Sequence, residues 1–278
     1  MNALRRFTYH VGLLNLARAL HLSAPLKKWY YRLVVPPDRI LRLQVLGRDL
    51  KFYVHTPVEL RELETTPRDE EDFFTALASV LCDGDTFFDV GSNLGKFAVT
   101  FAKVVGARGS VVAFEPELRC FERLEENIRL NCLANVRAFR KALGQEDGEG
   151  KLLVAGTNNT GSSLLPVHSV ASSATETVDV VPGDRFRDTE QLPVPRAIKI
   201  DVEGYEHYVL EGFKHTLSDP QCVMVCCEVH QLFLPSGITV EMIEALVRDC
   251  GFGSVTVLPR GREIHLIATK GTPAPAAG

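Results

Sequence analysis

The stretch from Phe87 to Phe97 constrains the fold of this chain more than any other segment. A short apolar run ends at Asp89, a turn flanked by Gly91 and Gly95 follows, and a helical pattern begins directly afterwards. A strand, a tight loop and a helix in this order present backbone N–H groups and one carboxylate to a ligand. Glycine lets the backbone turn sharply or approach a ligand closely, because no Cβ atom obstructs it. We interpret the stretch as the floor of a nucleoside-cofactor site.

Downstream of this stretch, buried strand patterns alternate with amphipathic helix patterns. The predicted strands lie at 110–114, 136–143, 197–201 and 222–227, and a terminal hairpin pattern covers 254–258 and 264–269. Alternation of strands and helices predicts a mostly parallel sheet covered by helices on both faces. The terminal hairpin is expected to add one antiparallel strand. We therefore assign the chain to the α/β class.

The residues at the ends of the predicted strands are the candidates for chemistry. Ligands in such sheets bind beyond the carboxyl ends of the strands, where the winding direction reverses. Because the carboxyl ends of parallel strands share one edge, all of this chemistry is expected on one rim. The rim residues are Asp89, Glu115, Ala142, Leu143, Asp201, Val202, Glu203, Glu228, Val229 and His230.

The order of acids and glycines distinguishes between cofactors. A dinucleotide fingerprint requires G-x-G-x-x-G, whereas this chain has Asp89, Gly91, Asn93 and Gly95 at alternate positions. An acid before the first glycine would repel a pyrophosphate but would attract the ammonium of a methionyl group. Glu115 lies 20 residues after Gly95, where it is placed to accept hydrogen bonds from both ribose hydroxyls. These features favour S-adenosylmethionine over NAD.

Six short motifs occur in order along the chain. They are Phe88 to Gly95, Val112 to Pro116, Ala142 to Gly144, Gly161 to Leu164, Ile198 to Gly204 and Glu228 to His230. Together they resemble the successive motifs of the FkbM family of S-adenosylmethionine-dependent methyltransferases, over roughly residues 70–270. Ser92 stands where that family more often has alanine. The resemblance implies a class I, Rossmann-like methyltransferase fold with a seven-stranded sheet, acting on a hydroxyl of a sugar, lipid-like or natural-product acceptor.

The predicted cofactor site draws on the glycine loop and the neighbouring strand ends. Its residues are Asp89, Gly91, Ser92, Asn93, Gly95, Glu115, Pro116, Ala142 and Asp201.

Methyl transfer to a neutral hydroxyl requires a base within hydrogen-bond reach. His230 is our first choice, because a histidine at a strand end titrates near neutral pH. Glu228 is predicted to orient it, and Asp201 is predicted to hold the methionyl ammonium or the acceptor. An alternative interpretation is that Asp201 and Glu203 only cap the next helix and that Lys199 pairs with Asp201.

The segment 145–182 is poor in periodicity and rich in Gly, Ser, Thr and Asn, so we expect it to be mostly loop with some strand. Loops of that length in compact domains tend to be functional or disordered. Ser162 and Ser163 are predicted to form a lid or to contact the acceptor. Glu203 and His230 complete the predicted acceptor contacts.

The acids of the rim also suit Mg²⁺, because that ion prefers hard oxygen ligands. A magnesium site formed by Asp201, Glu203, Glu228 and His230 therefore stays open as an alternative. The prediction that we adopt has S-adenosylmethionine as the cofactor and no metal.

Residues 1–68 lie outside the clear resemblance. We predict a helical segment and a β-hairpin here, with 56–68 as a charged loop, followed by a methyltransferase domain at 69–270 and a disordered tail at 271–278. Residues 1–35 are basic and amphipathic, which suits a cap on the main domain, a homodimer contact or a peripheral contact with an anionic membrane surface. Their acid-free, arginine-containing start also resembles a mitochondrial presequence.

The charge distribution and the cysteines limit the class of protein. Six Lys or Arg and no acid precede Asp38, so the remainder of the chain carries 25 basic against 35 acidic residues. A domain this acidic is a poor candidate for binding nucleic acid over a broad surface. The seven cysteines are mostly scattered, several in apolar patterns, which favours reduced thiols in a cytoplasmic protein. No apolar run approaches the ~20 residues of a membrane span.

Two other functions stay open at this point. A nucleotide-dependent oxidoreductase is disfavoured by the order of the glycines. A non-catalytic cofactor-binding or membrane-associated scaffold is disfavoured by the intact Asp89, Gly91, Glu115 and His230. N-methylation is a further alternative, because no acceptor-specific motif is visible.

Overall fold

A computed structural model of the protein describes residues 35–154, Leu164 and residues 174–271. The predicted N-terminal helices, the acceptor contact at Ser163 and the tail from residue 272 onwards lie outside these residues. The membrane or homodimer contact predicted for residues 1–35 also depends on them and stays a prediction.

The described helices and strands follow one another along the chain in a regular order. The first are β1 (Ile40–Val45), β2 (Arg48–Tyr53), α1 (Pro57–Asp69), α2 (Glu71–Val80), β3 (Thr86–Val90), α3 (Lys96–Val105), β4 (Ser110–Phe114), α4 (Leu118–Leu130), β5 (Val136–Phe139) and β6 (Ala142–Gly144). The others are β7 (Gly148–Val154), β8 (Ala174–Pro182), α5 (Gly183–Thr189), β9 (Ala197–Ile200), α6 (Glu206–Gly212), α7 (Lys214–Ser218), β10 (Met224–Val229), α8 (Val240–Asp249), β11 (Ser254–Arg260) and β12 (Glu263–Thr269).

A seven-stranded sheet in the order β11-β12-β10-β9-β3-β4-β5 forms the centre of the molecule. β3, β4, β5, β9 and β10 run parallel to one another. β12 is antiparallel to both β10 and β11. The winding direction reverses between β3 and β9, so a ligand site is expected beyond the carboxyl ends of these two strands. The predicted mostly parallel sheet with one antiparallel strand is confirmed.

Helices cover both faces of this sheet, and alternate residues of each strand point to opposite faces. Phe87 packs into a core that includes residues of α2 and α3, whereas Phe88 packs into a second core with residues of α6 and α8. All four residues of β9 and all six of β10 are buried. Such continuous burial explains why these strands read as unbroken apolar runs in the sequence.

The N-terminal hairpin forms as predicted, but the charged loop expected at 56–68 is instead helix α1. Thr56 and Glu59 form a capping box, in which Thr56 Oγ1 accepts from the Glu59 N–H at 3.2 Å and Glu59 Oε2 accepts from the Thr56 N–H at 3.3 Å. Pro57 suits the first helical position. Leu60 and Leu63, three residues apart, are buried in the same core as the hairpin, and this burial stabilises the helix.

The strand predicted at 136–143 is divided between two sheets. β5 is the edge of the main sheet, whereas β6 belongs to a three-stranded sheet of order β6-β8-β7. Arg140 and Lys141 lie at the break and pair with Glu176 and Asp179 of β8. Backbone pairing of β6 with β8 takes the chain away from the main sheet. β7 and β8 are the strands within the segment 145–182.

None of the helices within residues 35–154 and 174–271 is long and apolar enough to span a bilayer.

Candidate functional site

The loop between β3 and α3 has a backbone that few residue types adopt. Gly91, Asn93 and Gly95 have φ angles of 77°, 48° and 86°, in the left-handed region that favours glycine and, less strongly, asparagine. A Cβ atom on Gly91 would lie 1.8 Å from the backbone oxygen of Asp201. Glycine at this position therefore lets the loop pack directly against the carboxyl end of β9.

Asp89 holds this loop from beneath. Its side chain is fully buried, and its Oδ2 accepts a hydrogen bond of 2.9 Å from the backbone N–H of Ala98. Its carbonyl oxygen accepts one of 2.8 Å from the hydroxyl of Ser92. Burial raises the pKa of Asp89, although Lys199 opposes this shift. Asp89 therefore shapes the loop and the first turn of α3, and it acts on a ligand through them.

Glu115, directly after β4, connects the loop to the next strand. Its Oε2 accepts from the backbone N–H of Asn93 at 2.7 Å, and its Oε1 accepts from the N–H of Glu117 at 2.9 Å. Burial raises the pKa of Glu115 to about 7, even though these two hydrogen bonds favour the ionised form. Each carboxylate oxygen has two lone pairs, so Glu115 can also accept from a ligand.

A first cavity lies between this loop, the carboxyl ends of β4 and β9, and the amino end of β6. Its lining includes Gly91, Asn93, Glu115, Pro116, Ala142, Leu143, Leu152, Leu164, Asp201, Val202, Glu203 and Tyr205. Aliphatic side chains suit a planar base, and Glu115 suits the donor hydroxyls of a ribose. Leu164 ends the motif at 161–164 but was not among the predicted ligand contacts. Leu152 and Tyr205 were missed because nothing in their local pattern marks a ligand contact.

A second cavity of about 740 Å³ adjoins the first, within the range of about 300–1,000 Å³ typical of small-molecule sites. Gly91, Asn93, Asp201 and Glu203 line both cavities. The other residues of the second cavity are mainly charged or polar. They include Glu62, Asp69, Glu70, Ser92, Lys96, Lys199, Glu228, His230, Arg260, Glu263 and His265.

Lys199 is a buried cation that lines the second cavity. Its Nζ lies 3.1 Å from Oδ2 of Asp201 and 3.2 Å from the carbonyl oxygen of Gly91. The ion pair with Asp201 that the sequence suggested is therefore present. Burial would raise the pKa of Asp201, but the charges of Lys199 and His230 outweigh it and hold that pKa below its usual value. Asp201 is therefore ionised at neutral pH.

His230 is buried, with 6% of its surface exposed, and it faces three carboxylates. Its Nδ1 lies 2.8 Å from Oε1 of Glu206, and its Nε2 lies 3.5 Å from Oε2 of Glu203 and 3.8 Å from Oδ1 of Asp201. Burial would lower the pKa of His230, but the Glu206 hydrogen bond and the surrounding charges raise it to about 10. The protonated ring can donate a hydrogen bond to an oxygen atom of a bound substrate. The predicted role as base requires that this proton be lost first.

The residue that orients His230 is Glu206 and not Glu228. Oε1 of Glu228 lies 3.5 Å from Nε2 of His265, whose Nδ1 lies 2.7 Å from Oδ2 of Asp72. Glu206 lies in the first turn of α6, two residues after the motif that ends at Gly204. An acid in that position is usually attributed to the helix dipole, so sequence reasoning missed it.

Glu62 is a second acid that sequence reasoning missed. Its Oε1 accepts from the side-chain amide of Asn93 at 2.7 Å, and burial raises its pKa to about 7. Glu62 lies on α1, the segment that we expected to be a loop. Recognising the capping box of that helix would have indicated a buried helical face here.

The family model described as the methyltransferase FkbM domain matches residues 89–253. Among curated proteins, the hexuronic acid methyltransferase AglP of Haloferax volcanii is 29% identical over 202 residues, which cover 73% of this chain and 79% of that protein. Methyltransferase 1 of Beauveria bassiana is 29% identical over 147 residues, which cover 47% of this chain and 59% of that protein.

Solved structures provide a further comparison. A crystal structure of the methyltransferase FkbM from Methylobacillus flagellatus has a TM-score of 0.48 to this chain at 14% identity, covering 76% of this chain and 58% of the other. A precorrin-6y C5,15-methyltransferase from Geobacter metallireducens has a TM-score of 0.44 at 12% identity, covering 71% of this chain and 86% of the other.

Proposed function

Because the chain belongs to the FkbM methyltransferase family, a family that uses S-adenosylmethionine, we propose that it methylates a hydroxyl oxygen of a sugar or natural-product acceptor. The observation that carries the proposal is the wall shared by the two cavities. Gly91, Asn93, Asp201 and Glu203 line both, so a donor in the first cavity and an acceptor in the second meet at these residues. Because this family consists of methyltransferases, we set aside the alternative that the chain is a nucleotide-dependent oxidoreductase.

The first cavity, of about 80 Å³, has a lining that suits the adenosine part of the cofactor. Glu115 accepts hydrogen bonds from the ribose hydroxyls, and Ala142, Leu143 and Leu152 provide an apolar wall for the purine. The backbone of Gly91 and Asn93 closes the side toward the second cavity. When bound, S-adenosylmethionine supplies an electrophilic methyl carbon attached to a sulfonium.

The second cavity favours an acceptor rich in hydroxyl groups. Its lining has seven carboxylates against three lysine or arginine side chains. Carboxylates accept hydrogen bonds, and neighbouring hydroxyls of a carbohydrate supply donors. The relative that methylates a hexuronic acid, according to its name, supports a carbohydrate acceptor.

The transfer places an acceptor hydroxyl against Asp201, Glu203 and His230, which we call the junction residues. The oxygen–carbon bond forms as the carbon–sulfur bond breaks, and the electron pair of the broken bond stays on sulfur. The hydroxyl proton passes to a junction side chain and from there to water. Alignment of the three reacting atoms supplies much of the rate acceleration.

Transfer of a labelled methyl group tests this function. The protein is incubated with S-adenosylmethionine that carries a ¹³C-methyl group and with hexuronic acids, neutral hexoses or amines of similar size. We expect ¹³C NMR to show a methyl ether on a hydroxyl-bearing acceptor, and His230→Gln to slow the transfer about 100-fold. His207→Gln, outside both cavities, is the control and should retain the wild-type rate. Methylation of amines alone would contradict the proposal.

The affinity for S-adenosylhomocysteine is expected to depend on pH through Glu115. The pKa of this carboxyl is raised to about 7, and the ionised form is the better acceptor for the ribose hydroxyls. As the pH falls through 7, Glu115 takes up a proton and affinity is lost, so calorimetry should give a Kd about tenfold weaker at pH 6 than at pH 8. In Glu115→Gln the affinity should be lower and nearly independent of pH. An unchanged pH profile in that variant would assign the dependence to another group.

A further inference from the structure

We propose that Asp201, Glu203 and His230 bind one divalent metal ion of the Mg²⁺ or Mn²⁺ class, which holds the acceptor hydroxyl. This inference rests on the proposed function, since it names what the junction residues bind besides the acceptor. The sequence led us to predict no metal, with a magnesium site of four residues as the alternative. The present proposal keeps three of those four residues and leaves out Glu228.

The ligand atoms of this group already lie close together. One atom from each of Asp201, Glu203 and His230 lies within 4.8 Å of the others, and Nε2 of His230 lies 3.5 and 3.8 Å from the two carboxylate oxygens. Neighbouring ligands of an octahedral ion with bonds of about 2.1 Å stand about 3.0 Å apart. Shifts of about 0.5 and 0.8 Å would bring the carboxylate oxygens of Glu203 and Asp201 to this distance from Nε2 of His230.

The orientation of His230 is that of a metal ligand. Its Nδ1 is held 2.8 Å from Glu206, whose side chain is fully buried. Metal-binding histidines usually donate their other ring N–H to a carboxylate in this way. The contacts of Nε2 with Glu203 and Asp201 are too long for good hydrogen bonds. Nε2 therefore faces the two carboxylates without a close hydrogen bond among the described residues, and an ion bound between them would take the place of its proton.

Asp201 is also held in a conformation suited to coordination. Its Oδ2 accepts from Lys199 at 3.1 Å, so Oδ1 is the atom that faces His230, at 3.8 Å. Hydrogen bonds from outside the coordination sphere commonly fix ligating carboxylates. Lys199 therefore orients the carboxylate and leaves one oxygen available to an ion.

The negative charge of the second cavity favours binding of a cation. Seven carboxylates line it, against three lysine or arginine side chains and two histidines, and a divalent ion would reduce the remaining excess of negative charge. Two carboxylates favour a hard ion such as Mg²⁺ or Mn²⁺, and the imidazole is compatible with Mn²⁺. Three protein ligands leave positions open for acceptor oxygens. An ion there lowers the pKa of a bound hydroxyl and orients it.

A second triplet competes for the same histidine. Glu228, His230 and Glu263 also bring ligand atoms within 4.8 Å of one another. Glu263 thus provides a matched control for Glu203, since both line the second cavity. We favour the triplet with Glu203 because Nε2 of His230 faces both of its carboxylates.

Binding of Mn²⁺ to the full chain, measured by electron paramagnetic resonance after dialysis against EDTA, tests the proposal. We expect one saturable site per chain, at least tenfold weaker in Glu203→Gln and changed less than about twofold in Glu263→Gln. Pulsed measurements should detect coupling of Mn²⁺ to a ¹⁴N nucleus, and His230→Gln should abolish it. Thermal melting of each variant confirms that it folds.

Absence of saturable Mn²⁺ binding would overturn the proposal, as would loss of binding in Glu263→Gln but not in Glu203→Gln. The assay contains neither methyl donor nor acceptor. A negative result therefore leaves the methyltransferase function standing. Failure to bind S-adenosylhomocysteine in protein that binds Mn²⁺ would instead contradict the proposed function.

Discussion

Gly91→Ala is expected to lower the free energy of unfolding by about 3 kcal/mol or more, because the added methyl group meets a backbone atom that has little freedom to move. The Cβ atom would stand 1.8 Å from the carbonyl oxygen of Asp201. The φ angle of 77° adds the cost of a left-handed conformation for alanine. We expect the melting temperature to fall by roughly 6–12 °C in circular dichroism, and the affinity for S-adenosylhomocysteine to fall with it.

Gly261→Ala is the matched control for this substitution. Gly261 has a φ angle of 76°, and a Cβ atom there would meet nothing within 4 Å. Gly261→Ala therefore measures only the cost of placing alanine in a left-handed conformation, about 1 kcal/mol, without the steric clash. If both variants melted at the same temperature, the close approach of the loop to β9 would not contribute to stability.

Lys199→Met is expected to destabilise the protein by about 3–5 kcal/mol, since it leaves buried carboxylates without their cation. Nζ of Lys199 lies 3.1 Å from Asp201 and 3.9 Å from Asp89, and both acids are substantially buried. Methionine retains most of the apolar length of the side chain, which passes the ring of Phe97. Urea unfolding at neutral pH measures the loss.

Two further variants make the interpretation specific. Lys141→Met removes an exposed ion pair with Asp179 and should cost less than about 1 kcal/mol. Combining Lys199→Met with Asp201→Asn should cost less than the sum of the single changes, because the neutral amide needs no cation. If Lys199→Met and Lys141→Met lowered the free energy of unfolding equally, the buried ion pair would stabilise the protein no more than the exposed one.

Hydrophobic periodicity and the turn residues were sufficient to predict the strands of the main sheet from the sequence. Its strands are buried on both faces, so they appear as apolar runs that can be recognised one at a time. The capping box at Thr56 and Glu59 was an equally local signal, and it would have predicted α1 in place of a loop. The division of β5 from β6 was harder to predict, because it depends on pairing of β6 with β8, a strand more than 30 residues later.

The sequence by itself determined the family, the glycine loop and the rim, because each is expressed in neighbouring residues or in the order of strands. Asp201, Glu203 and His230 lie together on that rim as expected. Apart from the pair of Lys199 with Asp201, only the tertiary structure decided their partners and charges. Glu206 contacts His230 from 24 residues away, and Glu62 contacts Asn93 from 31 residues away. A pKa depends on the distances to every nearby charge, and those distances exist only once the chain has folded.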